Sequence, residues 1–103
     1  MYITVFRNRK RPDFDAAAYA ADAAEMEQLA RQQPGFVSFK SYAADDGEVL
    51  SFSEWESEAA AKAWGRHPDH AAVRARGLAD YYESYASYGC ADPRISRFDR
   101  SKA

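Results

Sequence analysis

One cysteine, Cys90, stands among the 103 residues. A single thiol cannot close an internal disulfide, so the chain is expected to rely on packing alone, in a reducing cytoplasm. A basic surplus is missing as well. Fourteen lysines and arginines meet sixteen acids, for a net charge of −2, whereas a nucleic-acid surface needs an excess of cations to displace counterions. Nucleic acid is therefore not an expected partner. No apolar stretch approaches the roughly 20 residues that cross a bilayer. Met1 to Asn8 reads as a strand, not as the basic head, apolar run and cleavage site of a leader, so no membrane association is expected. There is no glycine-rich phosphate loop, no nucleophile elbow and no Cys-x-x-Cys, which weakens nucleotide, hydrolase and disulfide-exchange readings.

What is present suits a soluble globular domain: 47% hydrophobic and 29% charged residues. The length has room for one domain, residues 1–103, with one modest core. Aromatics reach 15%. Such side chains bury much area each and favour pockets and interfaces.

Tyr2 to Phe6 is rich in β-formers and predicts a strand. The basic run from Arg7 to Arg11 follows, read as a solvated turn ending that strand. Asp13 or Asp15 can cap a helix over Phe14–Gln32, in which Tyr19, Ala23, Met26 and Ala30 share a face. Pro34-Gly35 stops it. Phe36–Tyr42 and Val49–Trp55 predict a hairpin about Asp45-Asp46-Gly47, where the glycine suits a positive φ. Ser57 caps a second helix that reaches Trp64. His67-Pro68 interrupts it, since the residue before proline leaves the α region, and Pro68 opens a further helical turn. His70, Val73, Gly77 and Tyr81 then follow on one stripe. Tyr82–Cys90 is a final strand, and the tail from Ala91 to Ala103 is either loose or forms a short strand around Arg94–Phe98. The order β-α-β-β-α-β is the split βαβ plan, an α+β, ferredoxin-like fold with an antiparallel sheet.

Both helices of that plan cover one sheet face, and the other should alternate toward polar residues. It does not. Ile3 and Val5 oppose Tyr2 and Phe6, Val37 and Phe39 oppose Phe36 and Tyr42, and Leu50 and Phe52 oppose Val49 and Trp55. Large apolar groups on both faces imply that both are covered. A second copy, sheet against sheet, is the economical cover, so a homodimer is expected.

The candidate site residues gather around Trp55, Trp64, His67 and His70. A zinc site needs three or four ligands, and Asp69 points off the His70 face, so no metal is expected. His70 lies on the inward stripe, either as a hydrogen-bonded core histidine or as a pocket group that holds or moves a proton near neutral pH. His67, before proline, should sit more exposed on the helix break. Trp64 is core or pocket wall. Asn8, at the end of the first strand, is a turn residue or an amide that hydrogen-bonds a carbonyl or a dioxygen-derived group. Tyr81, Tyr82, Tyr85 and Tyr88 exceed what a plain strand needs and read as interface or pocket wall.

Pro34-Gly35-Phe36, Asp46-Gly47, Ser53-Glu54-Trp55, Ala63-Trp64, His67-Pro68-Asp69-His70, and Gly77 through Tyr82-Glu83-Ser84-Tyr85 together resemble the antibiotic biosynthesis monooxygenase family. Arg11, Asp15, Tyr19, Met26 and Leu29-Ala30 add to the likeness, which runs nearly to Cys90. The resemblance implies a homodimer whose sheets form a barrel, the dimeric α/β barrel, with a pocket between sheet and helices in each subunit. It implies an oxygenase of aromatic or quinol-type compounds that needs no cofactor. In that reading His70 is the base, Asn8 orients the substrate, Trp64 and Tyr81 are walls, and Trp55 and His67 adjoin them. A dimeric module that binds a small ligand without catalysis is the competing class. The haem-degrading branch of the family pairs an Asn at the end of strand one with a Trp near the end of helix two and a His nine or ten residues later. Asn8 and Trp64 match, but Val73 and Arg74 occupy the histidine's place and His70 comes one turn early.

Overall fold

The computed structural model describes residues 1–102. Its elements are β1 (Tyr2–Lys10), α1 (Ala16–Ala30), β2 (Phe36–Ala43), β3 (Val49–Trp55), α2 (Glu58–Gly65), α3 (Pro68–Arg76) and β4 (Tyr82–Ala91). A wider, π-helical turn over Gly77–Tyr81 joins α3 to β4. The strands form one open antiparallel sheet in the order β2-β3-β1-β4. This is the expected α+β, ferredoxin-like plan, with its second helix divided in two at His67-Pro68.

Local chemistry sets the boundaries. Asp15 caps α1 by accepting from the Ala18 N–H at 3.0 Å, and Ser57 caps α2 by accepting from the Ala60 N–H at 3.1 Å. Gly35 and Gly47 take φ of +82 and +90, the region that spares only glycine a penalty. The tail forms no strand around Arg94–Phe98. Asp92 adopts a φ of +48 and swings the chain off β4, and Pro93 brings no N–H to a ladder. Phe98 is left 74% exposed.

Two further expectations change. The basic run is strand, not turn: β1 continues through Lys10, with Arg7 ion-paired to Glu48 at 3.0 Å and Arg9 to Asp46 at 2.8 Å. Those acids sit at the β2–β3 hairpin, and pairing with β4 as far as Lys10 opposite Tyr82 carries the strand past the place where sequence suggested a break. The second change concerns β2. Its register with β3 slips between Phe36 and Ser38, so Phe36 faces Trp55 and Phe39 faces Ser53. Residues opposite each other share a face, and Trp55 and Ser53 lie on the same one. Both phenylalanines therefore face the helices, because the bulge inserts one residue and resets the alternation.

The helix-facing side carries Phe6, Asn8, Lys10, Phe36, Trp55, Tyr82 and Tyr85, with Met26, Ala30, Trp55 and Tyr81 the buried apolar residues of the core. On the opposite face lie Ile3, Val5, Tyr42, Leu50, Phe52 and Tyr88, and among the described residues the ring contacts from α1 and α2 to the sheet are made on the other face.

Candidate functional site

Strand alternation turns Asn8 and Lys10 inward while Arg7 and Arg9 point to the other face. Asn8 is only 2% exposed. Its Oδ1 accepts from Lys10 Nζ, and its Nδ2 has no hydrogen-bond partner. The Lys10 ammonium lies 4.3 Å from the ring centre of Tyr19 and 5.5 Å from that of Tyr82. Tyr85 lies opposite Asn8, and a slip in the β1–β4 register just beyond sets Tyr82 opposite Lys10. Phe6 meets both tyrosine rings at 5.4 Å. Burial pushes the Lys10 ammonium below its ordinary value and raises the Tyr19 phenol. Burial first, then the neighbouring Tyr19, hold the Tyr82 phenol far above its ordinary value, so it stays protonated at neutral pH.

A second cluster runs from β3 to the helices. Trp55, 2% exposed, donates from Nε1 to Ser53 Oγ at 3.2 Å and meets the edge of Phe36 at 5.5 Å. Trp64 stacks on Trp55 at 6.5 Å, and His70 stacks on Trp64 at 4.6 Å. Burial, reinforced by Arg74, pushes the His70 imidazole below its ordinary value. The Gly65 and Trp64 carbonyls pull the other way. Neither satisfies Nδ1, which is buried and unpartnered. His67 caps α3, its Nδ1 accepting from the Asp69 N–H at 3.2 Å, and it keeps partial cover beside Trp64 at 5.5 Å. The break there is thus a cap built from a side chain.

Tyr81 belongs to a third group. Its hydroxyl donates to Asp22 Oδ2 at 2.7 Å, and Arg76 grips the same carboxylate from Nε at 3.1 Å and Nη2 at 2.9 Å. Arg76 first and Tyr81 second hold the Asp22 carboxyl below its usual range, and the Asp22 carboxylate raises the Tyr81 phenol. Tyr81 thereby ties the turn before β4 to α1. It reaches the Lys10 cluster through Tyr19, whose ring it meets edge-on at 5.4 Å. Among the described residues no hydrogen bond or ring contact joins Asn8 to His70 or Tyr81 to His70.

The structure therefore brings Trp55, Trp64, His67 and His70 together, as their spacing suggests, and places Asn8 and Tyr81 in separate groups. Sequence marks Tyr82 as interface or pocket wall and Tyr19 as part of a helix face, but assigns Lys10 no role in a site. One signal could have found Lys10: if the strand is carried past Phe6, parity puts Phe6, Asn8 and Lys10 on one face. A cleft of about 270 Å³ opens beside Trp64, Gly35 and Ala60, and another of about 510 Å³ beside Arg11, Arg76 and Tyr81. Among the described residues no three His, Cys, Asp or Glu side chains converge on a point that would hold a metal, and no helix is long and apolar enough to cross a membrane. Arg74, at the place of the haem branch's histidine, donates to the Gly65 carbonyl at 2.8 Å. His70, one turn earlier, stacks on Trp64, so no histidine stands at the haem branch's position in this chain.

A sequence model described as antibiotic biosynthesis monooxygenase matches residues 1–76. The chain is 32% identical to the uncharacterized protein YqjZ of Bacillus subtilis over 101 residues, covering 98% of this chain and 82% of YqjZ. Among solved structures it is similar to Rv0793 from Mycobacterium tuberculosis, with a TM-score of 0.80 and 23% identity over 93% of this chain and 98% of the other. It is also similar to SnoaB, a cofactor-independent oxygenase from Streptomyces nogalater, with a TM-score of 0.75 and 14% identity over 91% and 94% of the two chains. At these identities the structural likenesses speak for the fold.

Proposed function

Because the chain belongs to the antibiotic biosynthesis monooxygenase family, we propose that it is a small-molecule monooxygenase acting without a cofactor on an aromatic, quinol-type compound. The carrying observation is His70: a mostly buried imidazole, held neutral by that burial, stacked on Trp64 and keeping an unpartnered Nδ1. A neutral ring with a free nitrogen can take a proton at pH 7. The shared fold with a cofactor-independent oxygenase is in keeping with this.

In the reaction, His70 accepts the proton of a phenolic hydroxyl, leaving an anion whose charge is shared with a ring carbon. That carbon gives its electrons to dioxygen and forms a carbon–oxygen bond. The peroxide takes back the proton held by His70, and the hydroperoxide, on a carbon that still carries a hydrogen, loses water to leave a carbonyl, so one oxygen atom enters product and the other leaves as water. The electrons come from the substrate itself. Trp64 and Trp55 supply an apolar wall that keeps water from the anion, and Asn8 offers a donor to a substrate oxygen.

Two copies pair through the open sheet face. Ile3, Val5, Leu50, Phe52, Tyr42 and Tyr88 there need a cover that one chain lacks, and a specific interface exceeds about 1,000 Å². Light scattering at micromolar concentration should give twice the chain mass, and a monomer would refute the pairing. The activity is tested by oxygen uptake with a panel of quinols and polyphenols. Uptake that disappears in His70→Gln supports the reading. Binding without uptake across the panel overturns it in favour of a non-catalytic ligand-binding module.

A further inference from the structure

Among the described residues the Lys10 cluster sets a part-buried cation beside a buried amide donor that has no partner. No ion pair of the described residues includes Lys10. Its ammonium is part-buried against the faces of Tyr19 and Tyr82, whose quadrupoles attract a cation without neutralising it. It gives one of its three N–H bonds to Asn8 Oδ1. That contact also decides how the Asn8 amide is turned, since the reverse orientation would set two donors against each other. Nδ2 is then left buried with nothing to donate to, an arrangement that costs free energy unless a partner arrives.

Asn8 and Lys10 are two residues apart on one strand face, so both donors serve the same small region. What is missing there is an acceptor carrying negative charge. The rings of Phe6, Tyr19, Tyr82 and Tyr85 pack around the two donors and make their setting aromatic, which matches a hydroxylated aromatic ligand in chemistry. We propose that Lys10 Nζ and Asn8 Nδ2 together hold the ionised oxygen of a hydroxylated aromatic ligand. Lys10 supplies the charge and Asn8 the second hydrogen bond, and this rests on the substrate class proposed above. An anion seated there would also offset the burial that disfavours the Lys10 ammonium.

Alizarin, a planar hydroxyanthraquinone whose colour reports its ionisation, tests this. Wild-type protein is titrated with the dye across pH, and affinities for the neutral and ionised forms are read from absorbance. The ionised form should bind about tenfold more tightly, a fall of about one unit in the bound dye's pKa. Lys10→Met should remove that preference while leaving affinity for the neutral form within about twofold, and Lys10→Arg should keep it. Lys10→Gln replaces the Met variant should circular dichroism show the latter unfolded. No dye binding to wild type, equal binding of the two forms, or an anion preference that survives loss of the lysine charge would each overturn the inference. Oxygen uptake is read separately. Uptake without anion preference sinks this site alone, and anion preference without uptake across the quinol panel sinks the oxygenase reading alone.

Discussion

Gly77→Ala opposes two known quantities at one atom. Gly77 has φ −58 and ψ −47, an ordinary helical conformation that alanine adopts more readily. On backbone grounds the substitution should stabilise by up to about 1 kcal/mol. The added Cβ, however, would lie 2.5 Å from Tyr82 Cε2 and 3.1 Å from Cδ2, where carbon atoms prefer about 3.5–4.0 Å. Tyr82 must move by roughly an ångström, and it is not at the free end of a flexible chain. Phe6 at 5.4 Å, Tyr85 at 6.2 Å, Tyr19 at 6.4 Å and Tyr81 at 6.5 Å hem its ring. Overpacking of this kind costs about 1–3 kcal/mol. The clash should win, for a net loss of about 1–2 kcal/mol, which lowers Tm by about 4–16 °C in a domain this size. Calorimetry at one fixed protein concentration checks it, since association makes Tm depend on concentration. A Tm unchanged or raised would show that Tyr82 yields freely and that its packing is not what requires glycine. Displacing Tyr82 should also disturb the rings about Lys10, so the alizarin anion preference should fall in the same variant.

Trp55→Ala should cost about 3–5 kcal/mol, the loss expected of a fully enclosed indole, against about 5–15 kcal/mol for the whole domain; urea unfolding that moves by under 1 kcal/mol would refute its place in the core. Trp64→Ala, which borders a cleft and stacks on His70, should cost less than Trp55→Ala and weaken quinol binding more. His70 has a folded pKa below its unfolded value, so its contribution is present above about pH 6.5 and is lost as the pH falls through the lower folded value, because the unfolded chain takes up the proton first. His70→Gln should flatten unfolding free energy over that window and leave intact the losses below about pH 4 from Asp22 and Asp46, whose carboxyls Arg76 and Arg9 hold low; a wild-type curve that shows no loss as the pH falls below about 6.5 until the carboxylates titrate would contradict this. Tyr81→Phe should lower Tm, through the lost Asp22 bond, without changing dye affinity, and the reverse pattern would make Tyr81 a ligand wall.

Periodicity and punctuation carried the fold. Strand composition, the Asp15 and Ser57 caps, the glycines at 35 and 47 and the proline at 68 are local signals, and each acts within a few residues of its own position, so element order and class were legible without coordinates. The aromatic and histidine cluster from Trp55 to His70 was legible for the same reason, because one hairpin end and one helix turn bring it together. What only the tertiary structure decided depends on pairing between distant segments. β1 pairs with β4 as far as Lys10, which keeps it extended and turns Lys10 inward, while Arg7 and Arg9 find Glu48 and Asp46 across the sheet. A bulge in β2 moves Phe39 to the helix side, and the β1–β4 slip brings Tyr82 over Lys10. Tyr81 shares a helical stripe with His70 in sequence, yet its hydroxyl is committed to Asp22, 59 residues away. Strand register flips every side chain with a one-residue slip. Composition and spacing hold no record of where such slips fall, and so the group of residues around Lys10 exists only in the folded chain.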